Sequence, residues 1–173
     1  MNTARKIGIT SAAALAIMAI ASPSLAQNAA TGAASASVIV VRPITITKNT
    51  DLSFGRVVPD ASAAGTVVIG SGADSATPTT VHMVTGGTVT RAKFTAGGEG
   101  GQAYTITLPG AALTLATGLT VDTWTTDVAS PVISGTLGSA GTQIFYVSAT
   151  LHVPANQAAN TYTGSFNVTV TYQ

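Results

Sequence analysis

The chain has no cysteine among its 173 residues, and only 8% of them are charged. Without cysteine there is neither a disulfide framework nor a thiolate metal site. So few charges leave little material for paired carboxylates or for a calcium site built from several acids. The formal net charge is +1, but Arg5 and Lys6 sit in an N-terminal leader, and the rest carries five basic against six acidic side chains. A body that close to neutral offers no electrostatic footprint for nucleic acid or an acidic membrane surface. Aromatic residues make up only 5%. What is abundant is Thr, Gly, Ala and Val, a composition suited to exposed β-structure rather than to helices.

Residues 1–26 read as a signal peptide. Arg5 and Lys6 supply the positive start, residues 7–21 are uncharged and apolar, and Ser24-Leu25-Ala26 places small residues at a cleavage site before Gln27. That apolar run is short of the ~20 residues needed to span a bilayer, and no second one follows, so no integral membrane segment is expected after cleavage. The expected location is the periplasm, the cell surface or the medium. Residues 27–37, QNAATGAASAS, are too small-sided to bury much area and read as a flexible arm. Residues 38–173 read as one β-sandwich domain, large enough to bury a core without covalent staples.

Within that domain, short β-type runs are separated by Gly, Pro, Asn or Asp. They fall at residues 38–47 (interrupted by Pro43), 52–58, 65–69, 79–85, 88–95, 102–108, 113–115, 119–125, 143–153 and 162–172. Gly86-Gly87 reads as a two-residue hairpin turn between two of them, and Gly97-Gly98-Glu99-Gly100-Gly101 as a flexible turn. In the penultimate run Phe145, Val147, Ala149, Leu151 and Val153 alternate with Tyr146, Ser148, Thr150 and His152. In the last, Tyr162, Gly164, Phe166, Val168, Val170 and Tyr172 alternate with polar residues. Period-2 order of that length predicts one buried and one polar face. The expected fold is all-β, an immunoglobulin-like Greek-key sandwich.

Catalytic chemistry finds no constellation. His82 and His152 lie far apart in sequence, and His152 falls on the polar face, where a solvated or lightly hydrogen-bonded imidazole is the expectation. His82 beside Met83 is too small a ligand set for copper. Glu99, the sole glutamate, has no second acid beside it for a cation. Asp122, Trp124 and Asp127 form a weak candidate sugar platform, with the alternative that the lone Trp is core. No cofactor and no metal are expected, and the protein reads as a non-enzyme.

Four stretches carry a family likeness: Val40-Val41-Arg42-Pro43-Ile44-Thr45-Ile46, Leu52-Ser53-Phe54-Gly55, Tyr104-Thr105-Ile106-Thr107-Leu108-Pro109, and Thr161-Tyr162-Thr163-Gly164-Ser165-Phe166 running to Val170-Thr171-Tyr172. In these the chain resembles an uncharacterised family, a domain of unknown function, of small secreted proteobacterial β-proteins. Its ending is also similar to chaperone–usher pilins and spore-coat-U-type subunits. That resemblance implies a fibre subunit lacking one strand, with a periplasmic chaperone and an usher as partners and self-polymerisation by donor-strand exchange. It implies Tyr162, Phe166, Val168, Val170 and Tyr172 as the strand-pairing face and the arm, with Ala29, Thr31, Ala33, Val38 and Val40, as donor. Alanine-sized groups fill pockets poorly beside the ~1.5–3 kcal/mol of a buried Val or Leu, so Val38 and Val40, or Ile39 and Val41, are required for exchange.

Two other readings stay open. One is a self-complete secreted sandwich that binds a ligand or carbohydrate at the cell surface. The other is a small outer-membrane barrel, disfavoured because several runs are shorter than the ~9–11 residues of a barrel strand.

Overall fold

A computed structural model describes residues 29–173. The expected leader, residues 1–26, and the first two residues of the arm lie outside the described residues. The chain divides into two units, Met1–Val38 and Ile39–Gln173. Residues 29–38 take no strand conformation and are exposed.

The second unit is all-β, with no helix among the described residues. Its strands are β1 (Thr45–Thr50), β2 (Ser53–Val58), β3 (Gly65–Ile69), β4 (Ala76–Thr79), β5 (His82–Thr90), β6 (Ala92–Glu99), β7 (Tyr104–Thr107), β8 (Leu113–Ala116), β9 (Leu119–Thr126), β10 (Ala140–Val153) and β11 (Thr169–Tyr172). The main sheet runs β1-β6-β10-β3-β4, with β9 also on β10 and β8 on β9. Two smaller sheets, β7 with β11 and β2 with β5, stand apart from it. Every strand pairing among the described residues is antiparallel.

The long strand β10 organises the core. Phe145, Val147, Ala149, Leu151 and Val153 are buried as expected, but Ser148, expected on the polar face, is buried as well, its hydroxyl donating to the Gly70 carbonyl at 3.1 Å. Phe145 and Val147 belong to one apolar cluster with Ala92, Phe94, Ala96, Tyr104 and Ile133. Ala149, Leu151 and Val153 belong to a second with Val67, Val81, Leu119 and Val121. Leu52 and Trp124 pack against both clusters and join them. Side chains of this size each contribute roughly 1.5–3 kcal/mol when fully buried, which is how a chain with no disulfide holds its layers together.

The sequence-based boundaries need four corrections. Pro43 lacks an N–H, and the first strand starts only at Thr45, so residues 38–44 are not a strand. Gly86-Gly87 is not a hairpin turn. The pair lies inside β5, where pairing with β2 moves from Phe54↔Val89 to Arg56↔Val84. The surplus residues on β5 bulge there, and a Cβ on Gly87 would come within 2.4 Å of the Arg56 nitrogen. Gly97, Gly98 and Glu99 belong to β6, so the turn is confined to Gly100 and Gly101. Last, the alternation expected over residues 162–172 holds in burial only from Phe166 onward, Gly164 being exposed, and only Thr169–Tyr172 pairs as a strand.

Proline explains that early end. In the β11–β7 register Thr169 faces Thr107, so continuing the ladder would set Asn167 opposite Pro109. Pro109 has no N–H to donate, and the ladder stops.

Candidate functional site

Residues 162–167 continue the line of β11 without joining any sheet among the described residues. Across from them lies β1, an edge strand that among the described residues pairs with β6 alone. Between these two unpaired backbones runs a groove of about 330 Å³. Ile46, Leu52, Ala92, Phe94, Phe166 and Val168 line it, together with the polar Lys48, Asp51, Ser165 and Asn167. The Lys48 Nζ lies 2.6 Å from Asp51 Oδ1, an exposed pair that leaves the groove electrically neutral.

The residues of the expected pairing face do not all share one surface. Tyr162, Phe166, Val168, Val170 and Tyr172 are all half-buried, and the residues between them are exposed. Phe166 and Val168 line the groove, and Val170 pairs with Ile106 in the β7–β11 sheet. Tyr162 packs instead against the second cluster, its hydroxyl donating to the Ala158 carbonyl and accepting from Gln157 Nε2. The candidate donor residues Ala29, Thr31, Ala33, Val38 and Val40 are exposed. Val38, Ile39 and Val40 are more than four-fifths exposed, at 84%, 89% and 87%. Three such β-branched residues in a row on a surface are uncommon for a chain without a partner for them.

At its other end, beyond Ile46 and Val168, the last strand is tied to the root of the arm. The Tyr172 hydroxyl accepts the Glu99 N–H at 2.7 Å and donates to the Arg42 carbonyl at 3.0 Å. Arg42 in turn reaches Glu99 Oε2, with its guanidinium at 2.9 Å and its own N–H at 3.4 Å. The second carboxylate oxygen of Glu99 accepts the Gly138 N–H. That bond lowers the Glu99 pKa most. Burial pushes it up, while the N–H, guanidinium and charge of Arg42 lower it further, and the net result is a carboxylate below its ordinary range. Gly98 is needed for close approach rather than flexibility, since a Cβ there would sit 2.1 Å from the Tyr172 hydroxyl.

This clasp was not foreseen from sequence. A single glutamate inside a run of glycines reads as a turn. Its signal was the isolation of one acid where nothing else is polar, together with Arg42 ahead of the first strand.

The weak sugar candidates are not brought into one platform. A bulge shifts β9 against β10 between Ser148 and Thr150, and Thr123 takes a φ of 50°. Trp124 thereby turns onto Phe166, ring centroids 4.5 Å apart, with its Nε1 buried. Asp122 remains outside, where its Oδ1 lies 2.8 Å from His152 Nε2 and accepts the Thr123 hydroxyl. Asp127 accepts the Tyr146 N–H at 2.7 Å. His82 is exposed on β5, and no group of three or more His, Cys, Asp or Glu stands together among the described residues.

Fold and site together define an all-β, sandwich-like protein with a groove between the edge strand β1 and the unpaired segment 162–167. The chain belongs to the family described as a domain of unknown function, DUF4402, whose model matches residues 44–172. No curated protein and no solved structure matches it.

Proposed function

We propose that this protein is a non-catalytic structural subunit of a cell-surface fibre, joined to its neighbours by donor-strand exchange. The observation that supports this best is the groove between β1 and residues 162–167, flanked by two backbone edges without partners among the described residues. A strand entering it would gain main-chain hydrogen bonds on both sides, while alternate side chains entered between Phe94, Leu52 and Phe166. The exposed residues 38–41, Val-Ile-Val-Val, have the stiffness and β-preference of a donor strand. On this reading the domain is an immunoglobulin-like sandwich short of one strand. The leader directs export, a periplasmic chaperone covers the groove until assembly, and an usher orders the exchange.

Size-exclusion chromatography of the exported chain with and without residues 27–41 tests the proposal. Polymers in the complete chain and a folded monomer in the truncated one support it. A chain that is monomeric in both forms overturns it, and favours a self-complete sandwich binding a ligand at the cell surface.

A further inference from the structure

Resting on the strand-exchange reading above, we infer that Arg42, Pro43, Glu99 and Tyr172 form a guard that keeps the arm out of its own groove, so that the groove is filled by residues 38–41 of a second copy of this chain.

The direction of β1 sets the problem. It begins with Thr45 opposite Gly97 and ends with Thr50 opposite Lys93. Arg42 lies just before its start, and the groove opens further along, beside Ile46 and Lys48. To fill that groove itself, the chain would have to reverse within residues 42–44 and run back antiparallel to β1.

Two independent features oppose the reversal. Tight turns between antiparallel strands use two central residues of which the first, or both, have positive φ. Pro43 is fixed near a φ of about −65° and drives the residue before it towards extended conformations. The second feature is the clasp. Arg42 is held at both backbone polar groups, its N–H directed at Glu99 and its carbonyl accepting from Tyr172. Its guanidinium is bound to the same carboxylate. Turning the backbone at Arg42 would break all of these contacts and leave the buried Glu99 without its cation, a costly state for an ionised group.

A second copy meets neither obstacle. Its arm approaches as a free segment, and residues 27–41 contain no charged side chain to desolvate on entry. The contact so formed is heterologous, arm to groove, and repeats as an open chain rather than closing on a dimer.

The test compares the full-length chain, expressed with its leader, with the Pro43→Gly/Tyr172→Phe variant. Trp124 is the only tryptophan and stacks on the groove residue Phe166, so its emission reports uptake of a synthetic peptide of residues 35–42. The wild-type chain is expected to form a polymer ladder, and its monomer fraction to take up the peptide. The variant is expected to accumulate as monomer that has lost peptide uptake, its groove filled from within. A variant with an unchanged ladder and unchanged uptake overturns the guard while leaving strand exchange in place. A ladder that persists after deletion of residues 27–41 overturns the exchange reading and the guard with it. If the double variant loses its β-sheet circular dichroism, Pro43→Gly alone is compared. The same rise in monomer supports the guard, and an unchanged ladder overturns it.

Discussion

The hydroxyl of Tyr172 donates to the carbonyl of Arg42 across 130 residues of sequence, 3.0 Å away. Through the same oxygen it accepts the Glu99 N–H. One side chain near the C-terminus thus fixes the point where the arm enters the domain.

Removing that oxygen gives the first prediction. Tyr172→Phe keeps the ring and loses both hydrogen bonds. The expected loss is about 1–3 kcal/mol of unfolding free energy, two bonds at the ordinary net worth of roughly 0.5–1.5 kcal/mol each. Chemical denaturation followed by circular dichroism measures it. The denaturant dependence should stay unchanged, since the folded core is not altered. Loss of cooperative folding in this variant would show that the hydroxyl does more than join two loops.

Acid should weaken the same region. Glu99 has its pKa below the ordinary value in the folded chain, chiefly through the Gly138 N–H and against the push of burial. Its contribution is therefore complete above the unfolded-state pKa and disappears as the pH falls through the lower folded value. Asp74, lowered by its backbone and side-chain bonds from Arg91, and Asp60, lowered by Ser62 and Ala63, act in the same direction. Stability is expected to fall below the ordinary carboxylate range, and Glu99→Gln should remove part of that slope. Identical pH profiles for the variant and the wild type would count against an ionised Glu99 in the clasp.

How much of this could be read in the sequence depends on what each residue meets. The apolar face of β10 was legible because its large side chains recur every second residue, a signal local to the strand itself, whereas the burial of Ser148 depends on the distant Gly70 carbonyl. The half-buried row from Phe166 to Tyr172 was legible in the same way as that apolar face. The end of pairing at Thr169 was not legible, because it depends on Pro109, a residue far away that the register would bring opposite Asn167. Gly86-Gly87 misled for a similar reason. A glycine pair signals either a tight turn or a close approach, and the backbone of Arg56 opposite selects the second. The groove itself belongs to no one segment, since it lies between residues from β1, β6 and the C-terminal run.

Alkali provides a prediction independent of the clasp. Tyr104 is fully buried, its hydroxyl has no hydrogen-bond partner among the described residues, and burial, helped by the charge of Asp127, raises its pKa to about 12. Folding therefore favours its neutral form. That advantage is whole below the ordinary value of 10.0 and is lost as the pH climbs from there towards the folded value. Phenolate absorbance should show one of the four tyrosines ionising last, coincident with loss of structure. Tyr104→Phe should abolish that late step and hold the fold to higher pH. A Tyr104 that ionises in the ordinary range with the sheet intact would mean that its hydroxyl reaches water.

The contact between Phe166 and Trp124 connects the groove to the core, because Trp124 packs against both apolar clusters while Phe166 lines the groove. Phe166→Ala should shift Trp124 emission to the red as water reaches the indole. Truncating a well-packed Phe costs about 3–5 kcal/mol, and Phe166 is only half-buried, so its cost should fall below that range. Phe145→Ala, at a site with no exposure, should reach that range in the same denaturation experiment. The two variants should differ in a further way. Phe166→Ala enlarges an existing groove and should weaken any strand or peptide that enters it, while leaving β10 paired. Phe145→Ala opens a cavity inside the first cluster and should unfold the sheet before it alters the groove. Equal losses from the two substitutions would place Phe166 in the closed core, and the groove would then be shallower than its lining residues imply.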